Sequence, residues 1–212
     1  MWIFTLYTMV DGIFISRFVG STALAGVNLA LPLINFIFSI SIMIGVGSST
    51  LIAIKFGENK YDEGNKIFTL ATLLNLLLAF FISFLVLLNL EKVINILGAN
   101  KSQEVYQYVK TYLSVIVLFS LFYMLGYAFE IYIKIDGKPN YPTICVLIGG
   151  ITNLILDYLF VVIFHYGVRG AAIATGISQV TCCSMLLFYI LFKAQKIKFK
   201  KSFKFNFDRI IK

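Results

Sequence analysis

Five runs without a charged residue constrain this chain more than any motif does: 18–54, 67–90, 111–129, 139–156 and 170–192. Each reaches or approaches the roughly 20 residues with which an α-helix spans a bilayer. Hydrophobic residues make up 59% of the chain and charged ones 13%, with a mean hydropathy of +0.89. Soluble domains carry about 25% charged residues, so a soluble core is excluded and an all-α integral membrane protein is expected. The opening segment, Met1–Ser16, is apolar except for Asp11. At 1.5 Å per residue it covers about 24 Å, and it reads as the outer part of a truncated first helix. It has neither the basic start nor the small-residue cleavage site of a signal peptide. Six spans are predicted, at approximately 1–17, 23–54, 67–90, 106–134, 140–163 and 169–193.

The net charge is +8, and its placement points to topology rather than to nucleic acid. Lys55, Lys60 and Lys66 lie around the connection of spans two and three, and Lys134 and Lys138 around that of spans four and five. Eight more basic residues, from Lys193 to Lys212, follow span six. That places thirteen basic residues on one side against five on the other (Arg17, Lys92, Lys101, Lys110 and Arg169). The excess marks the cytoplasmic face of a plasma membrane of bacterial type, with both chain ends inside. Residues 194–212 alternate Lys with Phe and Ile, as expected of a basic cytoplasmic linker drawn to anionic lipid head groups. No folded basic domain accompanies them, so a nucleic-acid partner is not expected.

Within the apolar runs one acid stands out. Asp157 is the sole charge between Pro139 and Val168, and a carboxylate at membrane depth costs several kcal/mol unless it is protonated, paired or hydrated. Asn153 lies one helical turn earlier on the same face. Span two carries Asn28, Pro32 and Asn35, candidates for lining a cavity. Pro32 removes one backbone hydrogen bond and is placed to bend its helix. Span six opens with small residues four apart, Gly170/Ala174, Ala171/Thr175 and Ala174/Ser178, a spacing that lets helices approach closely. Thr175 is singled out among them, because its hydroxyl could supply a further oxygen to a cation. Cys145, Cys182 and Cys183 fall inside spans and read as small hydrophobes. The single histidine, His165, falls in a short loop. No nucleophile–base or metal-ligand spacing occurs, so the sequence gives no support for an enzyme or a cofactor. Glu130 and Lys134 are spaced as an ordinary i,i+4 pair.

Several segments, in order, resemble the first half of the multidrug and toxic compound extrusion (MATE) family. Val10-Asp11-Gly12 through Gly20, running into Ala23–Leu33, is similar to the family's acid-bearing first helix and the start of its second. Ile94–Ala99 with Tyr108–Leu113 resembles its 3–4 connection, and Asp136–Pro139 its 4–5 loop. Asn153–Tyr158 and Gly167–Thr175 resemble its fifth and sixth helices. Gly64 stands where the family often has Ala in the 2–3 loop.

The resemblance implies one six-helix lobe of a twelve-helix transporter that exports organic cations and other drugs in exchange for sodium ions or protons. It implies a cation site at Asp11, Asn153, Asp157 and Thr175. Two carboxyls, an amide and a hydroxyl are also coherent on their own as an all-oxygen donor set for a hard cation. Burial disfavours a charged carboxylate and a bound cation favours it, so proton and sodium would compete for one pocket. The remainder of the transporter is expected to come from a missing C-terminal lobe or from a second chain. The alternatives left open are a relative that flips lipid-linked saccharides and a non-transporting membrane scaffold in which Asp157 pairs with a partner's helix.

Overall fold

Lipid offers the backbone no hydrogen-bond partners, so apolar segments of this length satisfy themselves as helices and pack through their less apolar faces. The computed structural model describes residues 2–200. Helix α1 (Trp2–Phe18) turns at Gly20 into the long α2 (Ser21–Gly57), and a short turn leads to α3 (Tyr61–Leu88). A small helix, α4 (Leu90–Ile96), and a single turn at Ala99–Lys101 precede α5 (Gln103–Ile135). The bundle closes with α6 (Asn140–Ile163) and α7 (Gly167–Phe192). Helices α2, α3, α5, α6 and α7 are long and apolar enough to cross a membrane, and α1 has 17 residues. With α1 they form the expected six-helix bundle, the small α4 lying in a connection.

The predicted limits hold to within a few residues except at α3. That helix starts at Tyr61 rather than near residue 67 and takes in Asp62 and Glu63 in its first turn. Acids there complement the positive end of the helix dipole, so charge does not terminate the helix. The start brings Gly64 inside the helix, buried under Phe56, where a Cβ would lie 2.8 Å from the ring's Cδ1. An alanine at this position would push the ring aside, so this residue is a packing requirement and not a loop variation. The α5–α6 turn is a Schellman motif: Gly137 N–H bonds Lys134 O at 3.2 Å and Lys138 N–H bonds Ile133 O at 3.3 Å, with Gly137 at φ 96°.

Large apolar side chains on the outside, such as Phe80, Phe81, Phe84 and Leu88 on α3, are 58–65% exposed, as a lipid-facing stripe requires. Inside, two apolar clusters occupy opposite ends of the bundle. One gathers Ile15, Val27, Val109, Leu113 and Val161; the other gathers Phe68, Phe129, Tyr132, Cys145 and Leu186. Hydroxyls join the helices between them. Ser41 donates to Met124 O at 2.7 Å, and Ser83 reaches Val117 O at 3.1 Å and Ser120 Oγ at 2.6 Å. The Ser83 contact falls where α5 tightens to a 3₁₀ turn at Val117–Phe119.

The stretch after α7 is not a free strand on the lipid surface. Buried Asp136, in the α5–α6 turn, accepts from the backbone N–H groups of Gln195, Lys196 and Ile197 at 3.1, 2.7 and 3.1 Å, and from Tyr189 Oη at 2.8 Å. Asn65 donates to Lys196 O at 3.0 Å and accepts from Lys198 N–H at 2.8 Å. Lys200 pairs with Asp62 at 2.9 Å. Residues 195–200 are thus stitched across the ends of α3, α5 and α7, which gathers the basic connections at one end of the bundle. Residues 201–212, the rest of the expected linker, lie outside the described residues.

Two outcomes are expected. Gly176→Ala places a Cβ against the Phe119 ring, and overpacking of this kind costs about 1–3 kcal/mol. It should lower the unfolding temperature in detergent, whereas Gly47→Ala, with open space around it, should not. Asp136→Ala removes the acceptor for three backbone amides, and limited trypsin digestion should then cut at Lys196 and Lys198 faster than in the parent.

Candidate functional site

Helix geometry brings four of the sequence-selected polar groups to one place, between the two apolar clusters. Asn153 and Asp157 lie one turn apart on α6 and are fully buried. Asp11 on α1 and Thr175 on α7 are each 8% exposed. Asn153 Nδ2 points to Thr175 Oγ1 at 3.4 Å, a long contact that ties α6 to α7. Helix α1, which carries Asp11, packs against α6, which carries Asp157. The small residues Gly170, Ala171 and Ala174 beside Thr175 are all buried, so close packing of α7 carries the hydroxyl inward.

Directly after Asp157, α6 widens into a π turn, Tyr158–Ile163. Phe164 N–H closes it on Leu159 O at 2.9 Å, and Tyr166 N–H reaches Phe160 O at 2.8 Å. Such turns interrupt the regular ladder and occur often beside functional groups. Here the interruption begins at the acid.

The hydrogen bonding of this site is incomplete. Among the described residues, Asp11 Oδ1, Asn153 Oδ1 and both carboxyl oxygens of Asp157 are buried without a hydrogen-bond partner. None of the ion pairs there involves Asp11 or Asp157. An unsatisfied buried polar group costs about 1–3 kcal/mol, and more when charged. Four acceptors with no donor between them suit something positive, a proton or a hard cation. Three or more His, Cys, Asp or Glu side chains do not cluster anywhere among the described residues. A cation here would therefore draw on the two carboxyls plus neutral oxygens.

Asp11 and Thr175 open onto a cavity of 270 Å³ that is also lined by Asn28, Asn35, Phe38, Tyr112 and Tyr123. Asn28 and Asn35, seven residues apart, share the lining face of α2. Pro32, four residues after Asn28 and three before Asn35, falls on the same side of α2 by spacing, but it is exposed and is not among the cavity-lining residues. Tyr112 went unselected from the sequence. It is 4% exposed and lines the cavity with Asp11 and Thr175. In a hydropathy reading tyrosine counts as apolar, so its hydroxyl gives no signal without a structure.

Comparison with known proteins agrees with this architecture. Residues 1–159 match the model of the MatE family. Multidrug export protein MepA of Staphylococcus saprophyticus is 26% identical over 207 residues, covering 96% of this chain and 46% of that protein. The protein of the same name from Staphylococcus haemolyticus is 27% identical over 203 residues, covering 94% of this chain and 44% of that one. The chain thus spans about half the length of these relatives. An outward-facing multidrug resistance MATE family transporter of the MOP superfamily superposes with a TM-score of 0.87 at 24% identity, over 95% of this chain and 44% of that one. An inward-facing structure superposes with a TM-score of 0.85 at 24% identity, over 93% and 46%. At that identity the two structures speak to the fold alone.

Because Asp157 accepts no hydrogen bond, its neutral analogue loses no contact. Asp157→Asn in sodium-free buffer at pH 8 should unfold at the same temperature as the parent or higher. A stabilised residue would behave otherwise, at about 2–4 °C lost per kcal/mol for a chain of this size.

Proposed function

The chain belongs to the MatE family, and from that membership we propose that it is the ion-coupling lobe of a transporter that exports organic cations and related drugs. Sodium ions or protons moving inward drive that export. The observation that carries the reading is the group of four unpartnered oxygens on Asp11, Asn153 and Asp157.

A cation entering from outside finds Asp11 and Thr175 on the cavity wall, with Asn153 and Asp157 behind them. Binding cancels the repulsion between two nearby carboxyls and satisfies acceptors that otherwise have no donor. Protonation does the same by another route, which is why both ions suit one site. The free energy available is substantial: one positive charge moving inward yields about 2.3 kcal/mol per 100 mV. Coupling requires that ion and drug favour different conformations, each lowering the other's affinity. The neutral lining groups Asn28, Asn35 and Tyr112 leave the carboxyls as the charged groups whose occupancy changes.

In this reading the basic connections, with residues 195–200 docked by Asp136 and Asn65, lie at the cytoplasmic end of a lobe in the plasma membrane, as the excess of Lys and Arg there supports. Since the relatives are about twice as long, transport by this lobe requires a second one, on the same polypeptide or on another.

Ethidium accumulation in efflux-deficient bacteria tests the reading. The sequence is expressed together with a second lobe, beside the Asp157→Asn form, with membrane levels of both quantified. Export is expected from the parent and not from the equally abundant Asn form; ion-driven export by the Asn form would refute the coupling role. Sodium should also raise the unfolding temperature of the parent in detergent and leave Asp157→Asn unmoved.

A further inference from the structure

A second cavity, of 530 Å³, lies along α5 and α7 on the basic-end side of the acid pair. Chain direction fixes that order. On α5, Tyr112 at the first cavity is followed by Tyr123, Tyr127, Glu130 and Lys134, spaced on one helical face and running to the Asp136 turn. On α7, Thr175 is followed one turn later by Ser178 and Gln179, then Cys182. All of these except Tyr112 and Thr175 line the second cavity. The residues common to both cavities are Phe38 and Tyr123. Phe38 stands edge-on to Tyr123 with ring centroids 5.7 Å apart, and edge-on to Tyr127 at 4.7 Å.

We propose that Phe38 is a plug between the coupling site and a cytoplasmic ion path formed by the second cavity. This rests on the coupling role given above to Asp11 and Asp157. Oxygens of two tyrosines, Ser178, Gln179 and Glu130 offer a cation successive ligands beyond the plug. Glu130, its side chain 26% exposed and paired with Lys134 at 2.7 Å, stands at the mouth. An apolar ring across a polar passage blocks it by excluding water, as hydrophobic constrictions do in channels. A coupled exchanger needs such a block, because an ion that could run through both cavities at once would dissipate its gradient without moving a drug.

Cys182, in the wall of the second cavity, is a native reporter of access. A membrane-impermeant maleimide is applied to right-side-out and to inverted vesicles, and the labelled cysteine is identified by mass spectrometry. In the parent, Cys182 should be labelled from the cytoplasmic face alone. Phe38→Ala should make it reachable from the outer face as well, whereas Phe38→Trp, which keeps a ring in place, should not. Proteoliposomes of the Phe38→Ala form, joined to a second lobe, should leak sodium (tracer uptake) or protons (an entrapped pH dye) without any drug. Adding Asp157→Asn to that form should abolish the leak. Unchanged sidedness together with no leak overturns the plug, whatever Asp157 does. A leak that survives Asp157→Asn upholds the plug and overturns the coupling role of Asp157.

Discussion

A carboxyl inside a bilayer must be partnered, protonated or bound to a cation, and among the described residues Asp11 Oδ1 and both carboxyl oxygens of Asp157 have no hydrogen-bond partner. Elsewhere among the described residues, Asn75 Oδ1 and Asn153 Oδ1 apart, buried side-chain polar atoms have partners. Ser41, Ser48 and Ser83 reach across helices to carbonyls or hydroxyls, and Asn65 uses both its amide atoms on the 195–200 segment. Asp136, equally deep in protein, takes four donors. Against that background the bare oxygens of Asp11 and Asp157 are an exception with a direction: they tolerate burial only with a positive charge for company. The apolar clusters at the two ends hold the helices rigidly enough to keep that exception in place.

The two acids on one chain therefore illustrate opposite uses of burial. Asp136 sits at a helix end where backbone N–H groups are within reach, and its charge is spent on docking the chain that leaves α7. Exposed Glu58, between Lys55 and Lys60, is held below the usual carboxylate range by their hydrogen bonds, the Lys60 bond contributing most. Asp157 sits within the long apolar helix α6, directly before its π turn, and accepts no hydrogen bond. Position along the helix, rather than residue type, decides which acid docks the chain and which is left without a hydrogen-bond donor.

Much of this was legible beforehand. The helix count follows from the uncharged runs, because only a helix can bury so many consecutive apolar residues in lipid. Asp157 with Asn153 was visible because a charge among 29 otherwise uncharged positions has nowhere inconspicuous to sit. The i,i+4 rule placed Glu130 against Lys134. What the sequence did not carry was which side chains of a helix face reach a cavity, or which partners lie far along the chain. Pro32 shares a side of α2 with Asn28 and Asn35 by spacing, yet the cavity is lined by the two asparagines and not by Pro32. Tyr112 was hidden in an apolar run, and the bonds from Asp136 cross about sixty residues to reach their donors.

The sequence by itself determined the class of solvent, the helical state of each segment, the basic end of the bundle and the presence of an acid too costly to be incidental. Those properties depend on local composition and on period, which are written along the chain. Tertiary structure alone decided that the helices of Asp11 and Asp157 pack together, that Tyr112 lines a cavity with Asp11 and that residues 195–200 belong to the bundle. It also decided that Phe38 stands between two cavities. Each of these is a relation between side chains on different helices, set by how ridges and small residues let the helices pack, and no one-dimensional pattern carries that information.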